Sequence, residues 1–247
     1  MSWKDHFSQQ SEHYAKYRPH YPEELYQYLL SLVTSREVAW DCGTGNGQVA
    51  VQLAQVFEKV VATDASASQI NHARLLPNIE YRVACAENSG LPAHSVHLIT
   101  VAQAVHWFDF GKFYEEVHRV SHEAVIAVWG YGLLKISRSL DEPIQHFYSQ
   151  TLGPYWEQER KHLDQAYRSI PFPFQTFDAP HLTMQCFWNL QDLLGYLSTW
   201  SSLQKFIKLE KYSPLEDLAV NLSTLWGSSS SERKKVSWDL YLKVGKV

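Results

Sequence analysis

A glycine-rich loop in the first third of the chain has the residue types and spacing of a cofactor-binding turn. In the segment AWDCGTGNGQVA, Gly43, Gly45 and Gly47 occupy alternate positions soon after Asp41. Glycine has no Cβ, so such a backbone lets a ligand come close. The dinucleotide fingerprint G-x-G-x-x-G needs its third glycine one position later, and the lysine of a phosphate-binding loop is absent. The loop therefore favours a ligand without a pyrophosphate.

Two acidic residues narrow the choice of ligand. A carboxylate at Asp41 would repel a pyrophosphate, whereas it suits a ligand with an ammonium group. S-adenosylmethionine has an ammonium group and a sulfonium, and it has no phosphate. Asp64 lies 21 residues after Gly43, at the end of the next predicted strand, where it can accept hydrogen bonds from the ribose hydroxyls of S-adenosylmethionine or NAD. An NAD-dependent oxidoreductase is therefore the alternative within enzymes.

The elements that position these residues are predicted from the alternation of apolar and amphipathic segments. Strands are expected at residues 38–40, 59–64, 79–84, 96–103 and 123–131, with helices between them. The helix after residue 103 is expected to begin with Asp109 as its cap. This alternation predicts right-handed crossovers and a mainly parallel α/β sheet, whose carboxyl edge binds ligands.

The alternation of predicted strands and helices ends after Tyr131. Residues 132–180 are interpreted as an insertion with a polar helix in WEQERKHLDQAYRSI (156–170), and strands resume at 182–188 and 236–244. We expect one domain over residues 1–247, with a cofactor-binding core at about 35–131 completed by those two strands.

Composition excludes several classes of function. The chain has 22 basic and 26 acidic residues and a formal net charge of −4, which argues against nucleic-acid binding. No apolar run approaches the ~18 residues of a membrane helix, and the first residues lack the apolar region of a signal peptide. Three widely spaced cysteines indicate reduced thiols rather than disulfides or zinc. We therefore expect a cytoplasmic monomer or homodimer without a membrane partner or a metal.

Five segments, in order, resemble a known family. VAWDCGTGNGQVA resembles motif I (D/E-x-G-x-G-x-G) of class I S-adenosylmethionine-dependent methyltransferases, and VVATDAS looks like the acidic-loop motif that follows it. YRVACAENSGLP, VHLITVAQAVHWFDF and FYEEVHRV…AVIAVWGY resemble the next three blocks. FSQQSEHYAKYRPHYPEEL, AQAVHWF and YLSTWSS are similar to the type-11 subgroup that includes trans-aconitate methyltransferase-like proteins. The resemblance covers nearly the whole chain.

The resemblance implies a fold and a set of cofactor contacts. The fold is a Rossmann-like seven-stranded sheet in the order 3-2-1-4-5-7-6, with strand 7 antiparallel, helices on both faces and a helical lid from residues 1–25 and about 132–200. The implied contacts of S-adenosylmethionine and its product S-adenosylhomocysteine are Tyr14, Arg18, Asp41, Gly43, Thr44, Gly45, Asp64, Ala65, Ala86, Glu87 and Gln103.

Each contact has an implied role. Gly43 and Gly45 approach the methionine part of the cofactor, and Asp41 lies near its amino group. Asp64 binds the ribose while Ala65 packs on the adenine. Ala86 and Glu87 lie at the adenine edge, and Gln103 faces the methionine part by its backbone or its side chain. Cys85 stands where many relatives have an aspartate for the adenine amino group, so that contact departs from the family pattern.

The methyl acceptor is the least specified part of the prediction. His106 follows the fourth strand, where it could deprotonate an acceptor, hydrogen-bond to it, or serve only as a buried histidine beside Trp107. Tyr17, Trp107 and Trp200 are candidate pocket residues, and Arg18 could pair with the methionine carboxylate or an acidic substrate. We expect a small-molecule acceptor, with a carboxylic acid as the candidate that needs no base. A non-catalytic protein that binds S-adenosylmethionine is the alternative from another class.

Overall fold

The computed structural model describes residues 19–247, so the predicted contacts of Tyr14, Tyr17 and Arg18 lie outside the described residues, as do residues 1–18 of the predicted lid. Within residues 19–247, eight strands form one mixed sheet. The strands are β1 (Val38–Cys42), β2 (Lys59–Asp64), β3 (Ile79–Val83), β4 (Val96–Ala102), β5 (Ser121–Tyr131), β6 (Gln175–Thr176), β7 (Thr183–Trp188) and β8 (Lys234–Lys246).

The sheet has the topology that the sequence predicts. Its strands follow the order β3-β2-β1-β4-β5-β8-β6, and β7 also pairs with β8. The first five strands in this order are parallel, and β8 is antiparallel to β5. The late strand predicted at 236–244 therefore lies between β5 and the edge strand, as expected for strand 7 of the predicted order, and it extends further at both ends. All the carboxyl ends of the parallel strands meet at one edge.

The outer edge beside β8 differs from the prediction, because two short strands share the position expected for one. β6 pairs with the C-terminal end of β8, where Gln175 faces Lys246, and β7 pairs with its N-terminal half, where Thr183 faces Asp239. Pro180 lies between the two pieces and has no N–H to donate to a neighbouring strand. The sheet therefore has eight strands in the described residues rather than seven.

Helices cover both faces of this sheet. They are α1 (Glu23–Leu32), α2 (Gln48–Leu53), α3 (Ala67–Asn71), α4 (Phe110–Val120), α5 (Arg138–His146), α6 (Lys161–Asp164), α7 (Leu190–Ser198), α8 (Ser201–Glu210) and α9 (Leu215–Leu225). Val60 and Ala62 of β2 belong to one buried cluster and Val61 belongs to the other. Neighbouring strand residues point to opposite faces, so the sheet is buried on both sides and its strands are continuously apolar.

The helix predicted after Asp109 is confirmed. The Asp109 side chain accepts a hydrogen bond from the Lys112 N–H at 3.3 Å, which satisfies one of the free donors at the start of α4. Phe113 and Val117 are fully buried on its inner side. Burial of each such side chain contributes about 1.5–3 kcal/mol. α4 thereby holds the segment between β4 and β5 against the sheet.

The long polar helix predicted at 156–170 is wrong. Only the short 3₁₀ turn Gln158–Arg160 and α6 are helical there. Ala166 and Tyr167 have φ angles of +53° and +56°, a backbone conformation that ends a helix. Tyr167 is fully buried as a result. A tertiary contact of this side chain has therefore overridden the local helical pattern.

Within residues 19–247, every helix is too short or too polar to cross a membrane.

Candidate functional site

The glycine loop between β1 and α2 has the conformation that its sequence requires. Gly43, Gly45 and Gly47 have φ angles of +68°, +59° and +85°, where L side chains are rarely found. A Cβ at Gly43 would lie 2.5 Å from the Ala104 Cβ, and one at Gly47 would lie 2.2 Å from the Tyr81 hydroxyl oxygen. At Gly45, by contrast, no atom of the described residues comes nearer than 3.8 Å. The outer two glycines are needed for packing, and the central one borders space that a ligand can use.

Asp41 lies beneath this loop and is almost completely buried, with 1% of its surface exposed. One carboxylate oxygen accepts a hydrogen bond from the Thr100 hydroxyl at 2.8 Å, and the other accepts from the Thr44 hydroxyl. Burial raises the pKa of Asp41 to about 6, and the hydrogen bonds from Thr44, Thr100 and the Ala50 backbone partly oppose the shift. The loop thus has a buried negative charge at neutral pH.

Asp64 connects the end of β2 to the glycine loop. Its two carboxylate oxygens accept hydrogen bonds from the Gly45 N–H and the Ser66 N–H, both at 2.8 Å. A carboxylate oxygen can accept more than one hydrogen bond, so these contacts leave acceptor capacity for ribose hydroxyls. The Thr44 N–H donates to the Thr63 carbonyl at 2.9 Å and fixes the same junction. The predicted cofactor residues 41, 43, 44, 45 and 64 are therefore brought together.

The next predicted contacts lie along the same edge of the sheet. Ala65 is half-buried directly after Asp64, Ala86 is buried, and Cys85 is exposed. Glu87 accepts a hydrogen bond from the Asp109 N–H at 2.8 Å, so its side chain also supports the start of α4. These residues surround the position that the family resemblance assigns to the adenine.

Gln103 follows β4 in a left-handed conformation, with a φ angle of +58°. Its side-chain oxygen accepts from the Tyr131 N–H at 3.0 Å, and its side-chain nitrogen donates to the Tyr131 carbonyl at 3.2 Å. The amide side chain is thus bound to the end of β5. The sequence predicts that Gln103 contacts the methionine part of the cofactor through its backbone or its side chain. Because the side chain is bound to Tyr131, this arrangement favours the backbone.

The edge has a donor and acceptor set that fits S-adenosylmethionine. Asp41 and Asp64 supply negative charge and acceptors for an ammonium group and for ribose hydroxyls. The side-chain oxygen of Gln69, which sequence reasoning missed, is buried and has no hydrogen-bond partner among residues 19–247. It lies 3.8 Å from the position of a Cβ at Gly45. A buried acceptor of this kind is normally satisfied, and a donor on a bound ligand would satisfy it.

His106 lies in a 3₁₀ turn (Val105–Trp107) directly after β4 and is 5% exposed. Its Nδ1 lies 2.9 Å from the hydroxyl oxygen of Tyr167, and its ring centroid lies 4.9 Å from that of Trp107. Burial, together with the charges of Arg160 and His162, lowers the pKa of His106 to about 3. The imidazole is therefore neutral at physiological pH.

The hydrogen bond to Tyr167 also favours one position for the proton on the His106 ring. Tyr167 is fully buried, and burial raises the pKa of its hydroxyl well above the usual range. If Nδ1 donated, the Tyr167 O–H would have no acceptor among the described residues, and an unsatisfied buried donor costs about 1–3 kcal/mol. Within residues 19–247, the arrangement that satisfies both groups has the hydroxyl donating to Nδ1 and the proton on Nε2. In this state His106 is a hydrogen-bond donor and has no free site for a proton.

The predicted lid after β5 contains an aromatic group built around Trp156. Trp156 lies with its ring centroid 4.9 Å from Tyr148 and 5.7 Å from Trp200. Trp200 is 4% exposed, so most of its surface serves the insertion's own core. Trp107 is half-buried and lies against His106. Two of the predicted pocket residues lie in the described part of the chain. Trp107 lies beside His106, and Trp200 packs against Trp156.

Sequence reasoning missed three residues of this site besides Gln69. Thr100 had a signal, because it is a polar residue in the middle of the apolar strand β4 and is fully buried. No sequence pattern pointed to Tyr167 or Arg160, since their contacts depend on the fold of the insertion. No group of three or more histidine, cysteine or acidic side chains in residues 19–247 is arranged to hold a metal ion.

Comparison with known proteins gives a consistent result. The family described as "Methyltransferase domain" matches residues 40–127. A protein of Dictyostelium discoideum that is designated a methyltransferase is 36% identical over 98% of this chain and 95% of its own length. A solved structure from Anaeromyxobacter dehalogenans, described as a type II methyltransferase, is 37% identical, has a TM-score of 0.85, and covers 93% of this chain and 97% of its own. A Bacillus halodurans structure at 18% identity and a TM-score of 0.51 supports the fold alone, over 90% of this chain and 96% of its own.

Proposed function

Because this chain belongs to the S-adenosylmethionine-dependent methyltransferases, we propose that it methylates a carboxylate oxygen of a small organic acid. When bound, the cofactor supplies a methyl group on a sulfonium, whose sulfur is the leaving group. The protein then has to orient the acceptor and exclude water. None of these relatives favours the NAD-dependent alternative. The similarity to trans-aconitate methyltransferase-like proteins stays a prediction.

The observation that supports a carboxylate acceptor is the state of His106. A neutral imidazole that has its proton on Nε2 and accepts from Tyr167 at Nδ1 does not remove a proton from an alcohol or an amine. A carboxylate, with an ordinary pKa near 4, arrives ionised at neutral pH and needs no base. The Nε2–H of His106 then orients the acceptor by donating a hydrogen bond to it.

The cofactor is assigned to the edge formed by the glycine loop and the end of β2. In this proposal the backbone at Gly43 and Gly45 lies against the methionine part, the charge of Asp41 attracts its ammonium group, and Asp64 accepts from the ribose. The single domain with a core at about 35–131 remains part of the proposal. So does the lid from residues 1–25 and about 132–200, which would exclude water from the acceptor.

Titration and an acceptor screen test this function. S-adenosylmethionine and S-adenosylhomocysteine should bind in a calorimeter while NADH does not, and the protein should transfer labelled methyl groups to small carboxylic acids. Because neither the acceptor carboxylate nor His106 titrates there, and Asp41, with a pKa of about 6, is already mostly ionised, kcat/KM should vary little between pH 7 and pH 8. A rate that rises tenfold per pH unit in that range, or methylation of amines or alcohols only, would contradict the carboxylate acceptor. Cofactor binding without methylation of any acceptor would favour the binding protein instead.

Replacement of Asp64 by alanine should weaken binding of S-adenosylmethionine by about 1–3 kcal/mol, because charge-assisted hydrogen bonds to the ribose are lost. Calorimetric titration gives the dissociation constants. Replacement of Glu80 by alanine is the matched control, since this partly exposed carboxylate pairs with Lys59 of the neighbouring strand β2 and with Arg82 of its own strand β3. If Asp64→Ala bound the cofactor as tightly as the wild type, Asp64 could not be the ribose ligand.

A further inference from the structure

Arg160 is held in one orientation by its own neighbours. Its guanidinium carbon lies 3.9 Å from the centre of the Trp156 ring and 5.2 Å from that of Tyr148. Its Nε donates to the Tyr148 hydroxyl oxygen at 2.7 Å. Stacking on an aromatic ring and one fixed hydrogen bond leave the two terminal amino groups as a planar fork.

This fork has no anionic partner within residues 19–247. None of the ion pairs in that part of the chain includes Arg160. Asp164 is nearby, but its carboxylate accepts from the Tyr148 hydroxyl at 2.5 Å and is not paired with the guanidinium. The unused donors of this partly buried cation can therefore bind an anionic ligand.

The fork lies beside the proposed acceptor site. The turn Gln158–Arg160 contacts the turn Val105–Trp107, which contains His106. The charge of Arg160 contributes to the lowered pKa of His106 and opposes part of the rise that burial causes in the pKa of Tyr167, so it lies within electrostatic range of both. His162, the other nearby basic residue, has its Nδ1 2.8 Å from the Ser169 hydroxyl oxygen and its ring 5.6 Å from Phe110.

We propose that the guanidinium of Arg160 binds the negatively charged group of the methyl acceptor, with the Nε2–H of His106 as a second donor. The inference rests on the proposed function and names the residue that would select an acidic acceptor. An arginine fork matches the two oxygens of a carboxylate and binds them with charge-assisted hydrogen bonds. Because stacking on Trp156 already orders the side chain, little conformational entropy is lost on binding. A neutral acceptor of the same shape would leave the cation unpaired.

Binding of a probe anion tests this proposal without a known substrate. Succinate and benzoate, and their neutral counterparts succinamide and benzamide, are titrated into the full chain saturated with S-adenosylhomocysteine. Calorimetry reports binding, and tryptophan fluorescence should respond because Trp156 lies under the guanidinium. The carboxylates should bind saturably and the amides should bind at least tenfold more weakly. Arg160→Gln should weaken carboxylate binding about tenfold to a hundredfold.

Two further variants separate the role of the Arg160 fork from the effects of misfolding and of a general loss of charge. Arg160→Lys keeps the charge but loses the fork, so its loss should be intermediate, and it remains a valid comparison if Arg160→Gln does not fold. Arg168→Gln removes the same charge from an exposed position in the same insertion and should change nothing. Equal carboxylate affinity in the wild type and Arg160→Gln, or no saturable carboxylate binding, overturns the role of Arg160. Failure of S-adenosylhomocysteine itself to bind contradicts the proposed function instead.

Discussion

Replacement of Gly43 by alanine is expected to abolish measurable binding of S-adenosylmethionine and to lower the free energy of unfolding by about 2–5 kcal/mol. A left-handed conformation costs an L residue roughly 1–2 kcal/mol. At a φ angle of +68°, the new Cβ would also lie 2.5 Å from the Ala104 Cβ and 3.3 Å from the Phe108 ring. Overpacking of this kind costs typically 1–3 kcal/mol more. Relief of the overlap would displace the loop that borders the proposed cofactor site. Urea unfolding and calorimetric titration give the two quantities.

Gly153→Ala is the control for this change. No heavy atom of the described residues lies within 4 Å of a Cβ at Gly153, which begins a 3₁₀ turn in the insertion. Its free energy of unfolding should stay within about 0.5 kcal/mol of the wild type, and its cofactor affinity should not change. If Gly43→Ala bound S-adenosylmethionine normally, the methionine part would not lie against this loop.

Replacement of Asp41 by asparagine is expected to weaken cofactor binding at least tenfold while it stabilises the fold at neutral pH. Burial holds the pKa of Asp41 at about 6 in the folded protein, above its value near 3.9 in the unfolded chain. A raised folded pKa favours folding below pH ~4, and this contribution is lost as the pH rises through about 6. At pH 7 the ionised carboxylate therefore costs on the order of 2–3 kcal/mol. An amide avoids that cost, and it can still hydrogen-bond to Thr44 and Thr100.

The pH dependence of stability distinguishes this account from a simple packing effect. The stability difference between Asp41→Asn and the wild type should be small near pH 4 and should grow between pH 4 and pH 7, as thermal or urea unfolding would show. The weaker binding at pH 7 follows from the loss of the negative charge that attracts the ammonium group. Asp239→Asn, which removes a partly exposed carboxylate paired with Lys135, should change neither property. A destabilised Asp41→Asn protein with unaltered cofactor affinity would show that Asp41 serves only the packing of the loop.

Much of the fold could be predicted because its signals are local. Apolar strands that alternate with amphipathic helices predicted the parallel part of the sheet, and the predicted strands match the structure to within about two residues. The cap at Asp109 was predictable from residue type and position. Two features depended on contacts that no local pattern contains. The Pro180 interruption splits the edge strand only because β8 is long enough to pair with both pieces. The predicted helix at 156–170 ends early because Tyr167 is buried against His106.

In the candidate site, the features that depend on residues close in the chain could be predicted from the sequence. The features that depend on contacts between distant residues required the structure. The sequence alone predicted the proposed cofactor site, because alternate glycines and an acid at the end of the next strand act through the geometry of one βαβ unit. Only the tertiary structure decided what His106 and Arg160 can do. The partner of His106 is 61 residues away in the chain, and this contact favours a proton on Nε2, as the proposed donor role of His106 requires. Arg160 becomes a ligand for an anion through Trp156 and Tyr148, which hold its side chain flat beside the end of β4. Long-range packing therefore determines the acceptor side of the site, whereas short-range backbone geometry determines the cofactor side.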